Sequence, residues 1–168
     1  MTKPAIEQAL QLYQDSVFKA AFYVCKNRED AEDVAQETFL AYCREQRDFE
    51  SDEHVRAWLL RVAINKAKNL KASFWHRRRE NVPDFTEWLS VRDSDTQPLP
   101  DEEDLMLIQA VMELPEKCRM IVHLFYYEEY SVKEIAEILV INENTVKSQL
   151  HRGRTLLKSK LKEMWEDE

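Results

Sequence analysis

A single glycine, Gly153, in 168 residues is the strongest constraint on what this chain can fold into. Tight hairpins and β-bulges draw on glycine for positive φ, and a chain of short strands would need many such sites. Five prolines add few further breaks, and Leu, Ala, Glu, Lys, Gln and Arg dominate. These are strong helix formers, so the sequence predicts an all-α protein. No apolar run approaches the ~20 residues needed to span a bilayer. The start, MTKPAIEQALQ, lacks the apolar stretch of a signal peptide, so a cytoplasmic protein without a membrane span is expected. Cys25, Cys43 and Cys118 are far apart and form no CxxC pair, which points to packed apolar residues rather than a disulfide framework or zinc site.

Apolar periodicity divides the helices into two groups. Ile6, Leu10, Tyr13, Val17, Ala21 and Val24 mark a first amphipathic helix. Ala31, Val34, Ala35, Thr38, Phe39 and Tyr42 mark a second, over about residues 29–47. Val55, Trp58, Leu59, Val62, Ala63, Leu70 and Phe74 mark a third, over about residues 54–74. Short connections make these a three-helix bundle over residues 1–79. Residues 80–100 lose periodicity, hold Pro83, Pro98 and Pro100, and form an acidic linker too long and polar for the inside of a compact domain. Helical pattern resumes at residue 101, so residues 101–168 are a second domain of four helices.

The last two helices carry the clearest chemistry. Ile135, Ala136, Ile138 and Leu139 give one an apolar face, and Asn142 is the expected N-cap of the next. Val146, Leu150, Gly153 and Leu157 form the inner stripe of the final helix. Asn144, Lys147, Ser148, His151, Arg152 and Arg154 lie opposite. That is the layout of a helix-turn-helix whose second helix enters the major groove of DNA. The plain alternative is a helical hairpin with a solvated basic face.

A net charge of −8 opposes nucleic-acid binding only on average. Residues 27–53 hold ten acids and three bases, and residues 55–79 hold eight Lys/Arg and no acid. Residues 80–104 hold nine acids and one base, and residues 144–162 hold six Lys/Arg and no acid. The two basic blocks suit phosphates, and the acidic blocks suit another partner or only solvent. On the second helix Asp30, Asp33 and Glu37, with Gln36 beside them, line one face. Metal binding or acid–base catalysis is unsupported, since no histidine stands at a ligand spacing and an exposed face does not desolvate a carboxylate. A solvated face and a docking face for a basic partner both remain. The third helix presents Arg61, Asn65, Lys68 and Asn69, with Arg56, Lys66 and Lys71 on its flanks and a basic cluster at residues 76–79. Basic residues interleaved with aromatics suit single-stranded nucleic acid. Trp58 lies on the expected core stripe, and Trp75 is the freer ring. Phe49, apolar in a polar loop, either receives a base or covers the end of the bundle.

Taken in order, DAEDVAQETFL, RAWLLRVAINKAKN, an acidic linker, LPEKCRMIVHLFYYEEYSVKEIAEIL and NTVKSQLHRGRTLLK resemble a bacterial RNA polymerase sigma factor. The resemblance is to the extracytoplasmic-function (ECF) type, which keeps only regions 2 and 4, and it covers nearly the whole chain. It implies a promoter-directing subunit with no active site, no cofactor and no metal. Docking on the clamp helices of the polymerase would fall to Asp30, Glu32, Asp33, Gln36 and Glu37. The −10 element would be read and melted by Arg61, Asn65, Lys68 and Asn69, with the loop around Phe49 holding a flipped base. The −35 element would meet Asn144, Lys147, Ser148, His151 and Arg152, while Arg154 and Lys158 hold phosphates. The implied partners are core RNA polymerase (clamp helices and flap of the large subunits), promoter DNA and an anti-sigma factor. The linker resembles the family segment that passes near the polymerase active centre and RNA exit path.

Three positions depart from the family pattern. The turn before the last helix commonly holds glycine and here holds Val140. Asn69 stands where many relatives carry an acid. Gly153 sits within a helix, where it costs up to ~1 kcal/mol relative to alanine, and a close neighbouring helix is its expected reason. Two rivals share parts of this pattern: a helix-turn-helix regulator that acts without polymerase, and a metal-dependent nuclease built on the carboxylates.

Overall fold

A computed structural model describes residues 3–74 and 101–166. Every regular element among them is helical. Trp75, the basic cluster at 76–79 and the 80–100 linker with Phe85, Trp88 and Leu89 lie outside the described residues. The chain separates into two compact units, Met1–Val82 and Pro83–Glu168.

The first unit packs α1 (Ile6–Cys25), α2 (Arg28–Arg44) and α3 (Asp52–Phe74) against one another. Lys26 ends α1 in the left-handed region at φ 56°, and Asn27 caps α2 by accepting the Asp30 amide at 3.0 Å. The inner face of α2 is the expected one: Ala31, Val34, Ala35, Thr38, Phe39 and Tyr42 are buried. Thr38 donates its hydroxyl to the Val34 carbonyl, which satisfies its buried oxygen within the helix.

The inner face of α3 is turned from the expected stripe. Val55, Leu59, Leu60, Ala63, Ile64 and Ala67 are the buried residues. Trp58, Val62 and Leu70 are half-buried. Arg56 and Lys66 border the core side, where their stems cover apolar surface while their heads reach Glu53 at 3.6 Å and Glu37 at 3.8 Å. These flanking cations disguise Leu60, Ile64 and Ala67 as an outer face in the sequence.

The second unit contains α4 (Glu102–Met112), α5 (Glu116–Val122), α6 (Val132–Leu139) and α7 (Glu143–Glu166). Pro115 precedes the first turn of α5, and the helix continues as a five-residue π-helical turn, His123–Tyr127. Capping boxes start α4 at Asp101 and α6 at Ser131. Ser131 Oγ accepts the Glu134 amide at 3.1 Å, and the Glu134 carboxylate accepts the Ser131 amide at 3.0 Å. Asn142 Oδ1 accepts the Asn144 amide at 2.7 Å, as its N-cap role requires.

Candidate nucleic-acid and polymerase interfaces

Three exposed surfaces stand on this scaffold. On α2, Glu32, Asp33, Gln36 and Glu37 are exposed and Asp30 is half-buried. Helical spacing places Leu40 among Asp33, Gln36 and Glu37, and Leu40 is 48% exposed. This exposed apolar side chain shares the face with the carboxylates of Asp33 and Glu37, and the sequence pattern did not single it out. Its signal was weak: Leu40 directly follows the buried Phe39 in an apolar pair. The Arg28–Glu32 pair at 2.9 Å is exposed and contributes little.

On α3, Arg61, Asn65 and Asn69 are exposed and Lys68 half-exposed, at spacings that place them on one face. Trp58 and Val62 are half-buried at the margin of this face, so an aromatic and an aliphatic side chain adjoin these polar ones. Phe49 is the exception among the expected site residues. It is 1% exposed, with ring centroids 6.0 Å from Tyr42, 5.8 Å from Trp58 and 5.1 Å from His54. Its ring therefore covers the end of the bundle in this structure and anchors the loop between α2 and α3.

The loop, residues 45–51, is tied at both ends. Lys3 Nζ donates to the Tyr42 and Glu45 carbonyls, both at 2.7 Å, at the carbonyl-rich end of α2. Tyr42 donates its hydroxyl to the Pro4 carbonyl, and burial pushes its pKa up. The Arg47 amide bonds the Glu45 carboxylate, which with the Arg47 guanidinium holds that carboxyl below its usual range.

On α7, Asn144, Lys147, Ser148, His151, Arg152, Arg154 and Lys158 are all exposed, while Val146, Leu150 and Gly153 are buried. Arg154 is held as well as displayed. Its Nε donates to the Tyr126 hydroxyl at 2.6 Å, and its guanidinium lies 5.4 Å and 5.6 Å from the Phe125 and Tyr126 rings. Its terminal nitrogens remain for an anion. Gly153 has the expected packing reason, since a Cβ there would stand 2.9 Å from Val122 Cγ2. Val140 adopts φ 55°, ψ 53°, the left-handed turn that glycine usually fills.

Among the described residues no group of three or more His, Cys, Asp and Glu is placed to hold a metal ion. No described helix is long and apolar enough to cross a membrane.

Two helical units, one ending in a helix-turn-helix and the other carrying an acidic face beside a basic one, define a bipartite DNA-binding protein. Residues 9–81 match the family model Sigma-70 region 2, and residues 104–157 match Sigma-70, region 4. The chain belongs to the sigma-70 family, in its ECF group. It is 29% identical over 176 residues to the ECF RNA polymerase sigma factor SigW of Bacillus subtilis, covering 95% of this chain and 90% of that one. It is 28% identical to the ECF RNA polymerase sigma-E factor of Haemophilus influenzae, covering 95% and 88%. The fold is similar to that of the sigma factor RpoE solved with the anti-sigma factor NepR from Bartonella quintana: TM-score 0.70, 21% identity, 93% of this chain and 96% of that one. It is also similar to CnrH solved with the cytosolic domain of CnrY: TM-score 0.65, 23% identity, 94% and 87%.

Proposed function

We infer that this chain binds core RNA polymerase, brings it to a promoter and stabilises the opened −10 strand. The observation that carries this is the pairing, on the first unit, of an acidic face centred on Leu40 with a separate basic face on α3. A regulator that used only the helix-turn-helix would need neither, and the region 2 match removes the reason to prefer one. Residues 1–79 serve as the polymerase and −10 domain, 80–100 as linker and 101–168 as the −35 domain. Asp30, Glu32, Asp33, Gln36, Glu37 and Leu40 meet the polymerase clamp helices, while the second unit meets the flap. Arg61, Asn65, Lys68 and Asn69 face the −10 strand, with Trp58 and Val62 as the apolar wall. Asn144, Lys147, Ser148, His151 and Arg152 face −35 base edges, and Arg154 and Lys158 face phosphates.

The chain performs no chemistry itself and uses no cofactor; bond formation belongs to the polymerase, in the cytoplasm. Tethering two weak readers to one polymerase raises their effective concentration on a promoter, so a chain of net charge −8 need not bind DNA tightly alone. An anti-sigma protein that covers these faces completes the proposed cycle; the solved neighbour RpoE was captured with the anti-sigma factor NepR. Core polymerase reconstituted with this protein should initiate at defined sites on genomic DNA. No association with core polymerase would refute the assignment.

A further inference from the structure

His54 sits in the first turn of α3, below the loop that connects α2 to the −10 face, and no family role falls on it. Three contacts converge there. Its Nδ1 accepts the Glu50 amide at 3.1 Å. Its own amide donates to Ser51 Oγ at 3.1 Å, which caps α3. Its ring meets the buried Phe49 ring edge-on, with centroids 5.1 Å apart. The arrangement is a variant capping box. The third helical residue reaches back with an imidazole nitrogen instead of a carboxylate, and it bonds the amide one residue before the cap. Loop residues 49, 50 and 51 thus each touch His54, and each in a different way.

We propose that His54 is a positioning residue for the −10 loop, holding residues 49–51 in the shape that receives the opened strand. The inference rests on the sigma-factor assignment above. Its chemistry is specific. An imidazole nitrogen accepts a hydrogen bond only when it carries no proton, so the bond to Glu50 requires neutral His54 with its proton on Nε2. A protonated ring has two donors and no acceptor, and Nδ1–H would then oppose Glu50 N–H. Other titratable and charged groups on the surrounding elements are Glu50 in the loop, Asp52, Glu53 and Arg56 on α3, Tyr42 on α2 and Tyr13 on α1. Tyr13 donates its hydroxyl to the Asp52 carbonyl at 3.1 Å. All of these remain in the variants below, which isolates His54.

Two substitutions separate acceptor from ring. In His54→Asn, Oδ1 takes the place of Nδ1 as acceptor and the ring on Phe49 goes. In His54→Phe the ring on Phe49 stays and the acceptor goes. Amide exchange at Glu50 in the full chain, divided by the intrinsic rate, reads the anchor directly. Strand opening by reconstituted polymerase, on a promoter fragment identified from its transcripts on genomic DNA, reads the function. His54→Asn should keep Glu50 protection, and His54→Phe should lose roughly two- to tenfold of both protection and opening, the worth of one hydrogen bond. Opening equal in wild type and His54→Phe, or Glu50 protection lost alike in His54→Asn and His54→Phe, overturns the proposal. Failure of wild type to open any promoter with core polymerase instead refutes the sigma-factor assignment, and the inference with it.

Discussion

Replacing Gly153 by alanine should destabilise the second unit, although the same change in an exposed helix stabilises. Helix propensity favours alanine by about 1 kcal/mol. The structure opposes it more strongly. The new Cβ would lie 2.9 Å from Val122 Cγ2 and 3.5 Å from Cys118 Cβ. Carbon pairs are most stable at about 3.5–4.0 Å, so the first contact must open by more than half an ångström. Val122 cannot supply that by rotation: it is 4% exposed, β-branched and at the end of α5, where one χ1 rotamer dominates. The shift must come from α5 and α7 moving apart. Overpacking of this kind costs about 1–3 kcal/mol. The net expectation is a loss of about 1 kcal/mol, or roughly 4–8 °C in Tm for a domain of this size.

Amide exchange at Val146–Leu150 in the full chain reads the opening free energy of that unit alone. Gly153→Ala should raise exchange there about fivefold, with α2 and α3 unchanged. Val122→Ala in the same chain makes room for the new methyl, so the double variant should be more stable than the two single losses predict, by at least about 0.5 kcal/mol. Stabilisation by Gly153→Ala, or strict additivity with Val122→Ala, would refute the packing account.

Further outcomes are expected from the same structure. Val140→Gly removes a β-branched residue from the left-handed region and should stabilise the second unit by about 1 kcal/mol, seen as slower exchange in α6 and α7. Asp33→Ala with Gln36→Ala and Leu40→Ala should weaken polymerase binding while leaving thermal unfolding unchanged, and Arg152→Ala should weaken promoter binding with polymerase association retained; equal loss of polymerase in both disproves the division of labour. Cys43 is exposed and should alkylate quickly in native protein, whereas Cys118 is buried, donates to Gln149 Oε1 at 3.1 Å and should react only on unfolding. Burial pushes the Cys118 pKa up against a smaller opposing pull from Arg152. The folded state therefore favours the neutral thiol: its stability contribution is complete below the ordinary thiol range and declines as pH rises through it, so Tm should fall above about pH 8.5 less steeply in Cys118→Ala.

What the sequence made legible follows the regularity of each element. The inner faces of α2 and α7 could be read because large apolar residues recur at helical spacing with no cation intruding. The face of α3 was turned because Trp58 is large and apolar yet half-buried, while Leu60 and Ile64 are buried between Arg56 and Lys66. Amphipathic side chains at a core margin can defeat a pattern built on residue type alone. Phe49 shows a different limit. Its burial is made by Tyr42, His54 and Trp58, from two helices on either side of its loop, and no periodicity within a seven-residue loop announces such a cluster. The π-helical turn at His123–Tyr127 is equally silent in sequence, and it is what presents Phe125 and Tyr126 to Arg154.

That last contact joins the packing of α7 to its use. In a helix, successive residues emerge about 100° apart, so a buried Gly153 sends Arg152 and Arg154 outward on opposite flanks of the reading face. In the proposed role Arg152 faces base edges, and Arg154 faces the phosphate backbone at one side of the groove. Arg154 is braced by Tyr126 and two aromatic rings, so part of the ordering cost of a long flexible side chain is met before DNA arrives. Arg152 is exposed. The two flanks should therefore differ. Tyr126→Phe, which removes the hydrogen bond but keeps the ring, should weaken promoter binding while leaving its salt dependence unchanged, because no phosphate contact is removed. Arg154→Ala should reduce the slope of log affinity against log salt by about 0.9, the release of one counterion. An unchanged slope in Arg154→Ala would place Arg154 in the packing of the helix alone and leave Lys158 to meet the backbone.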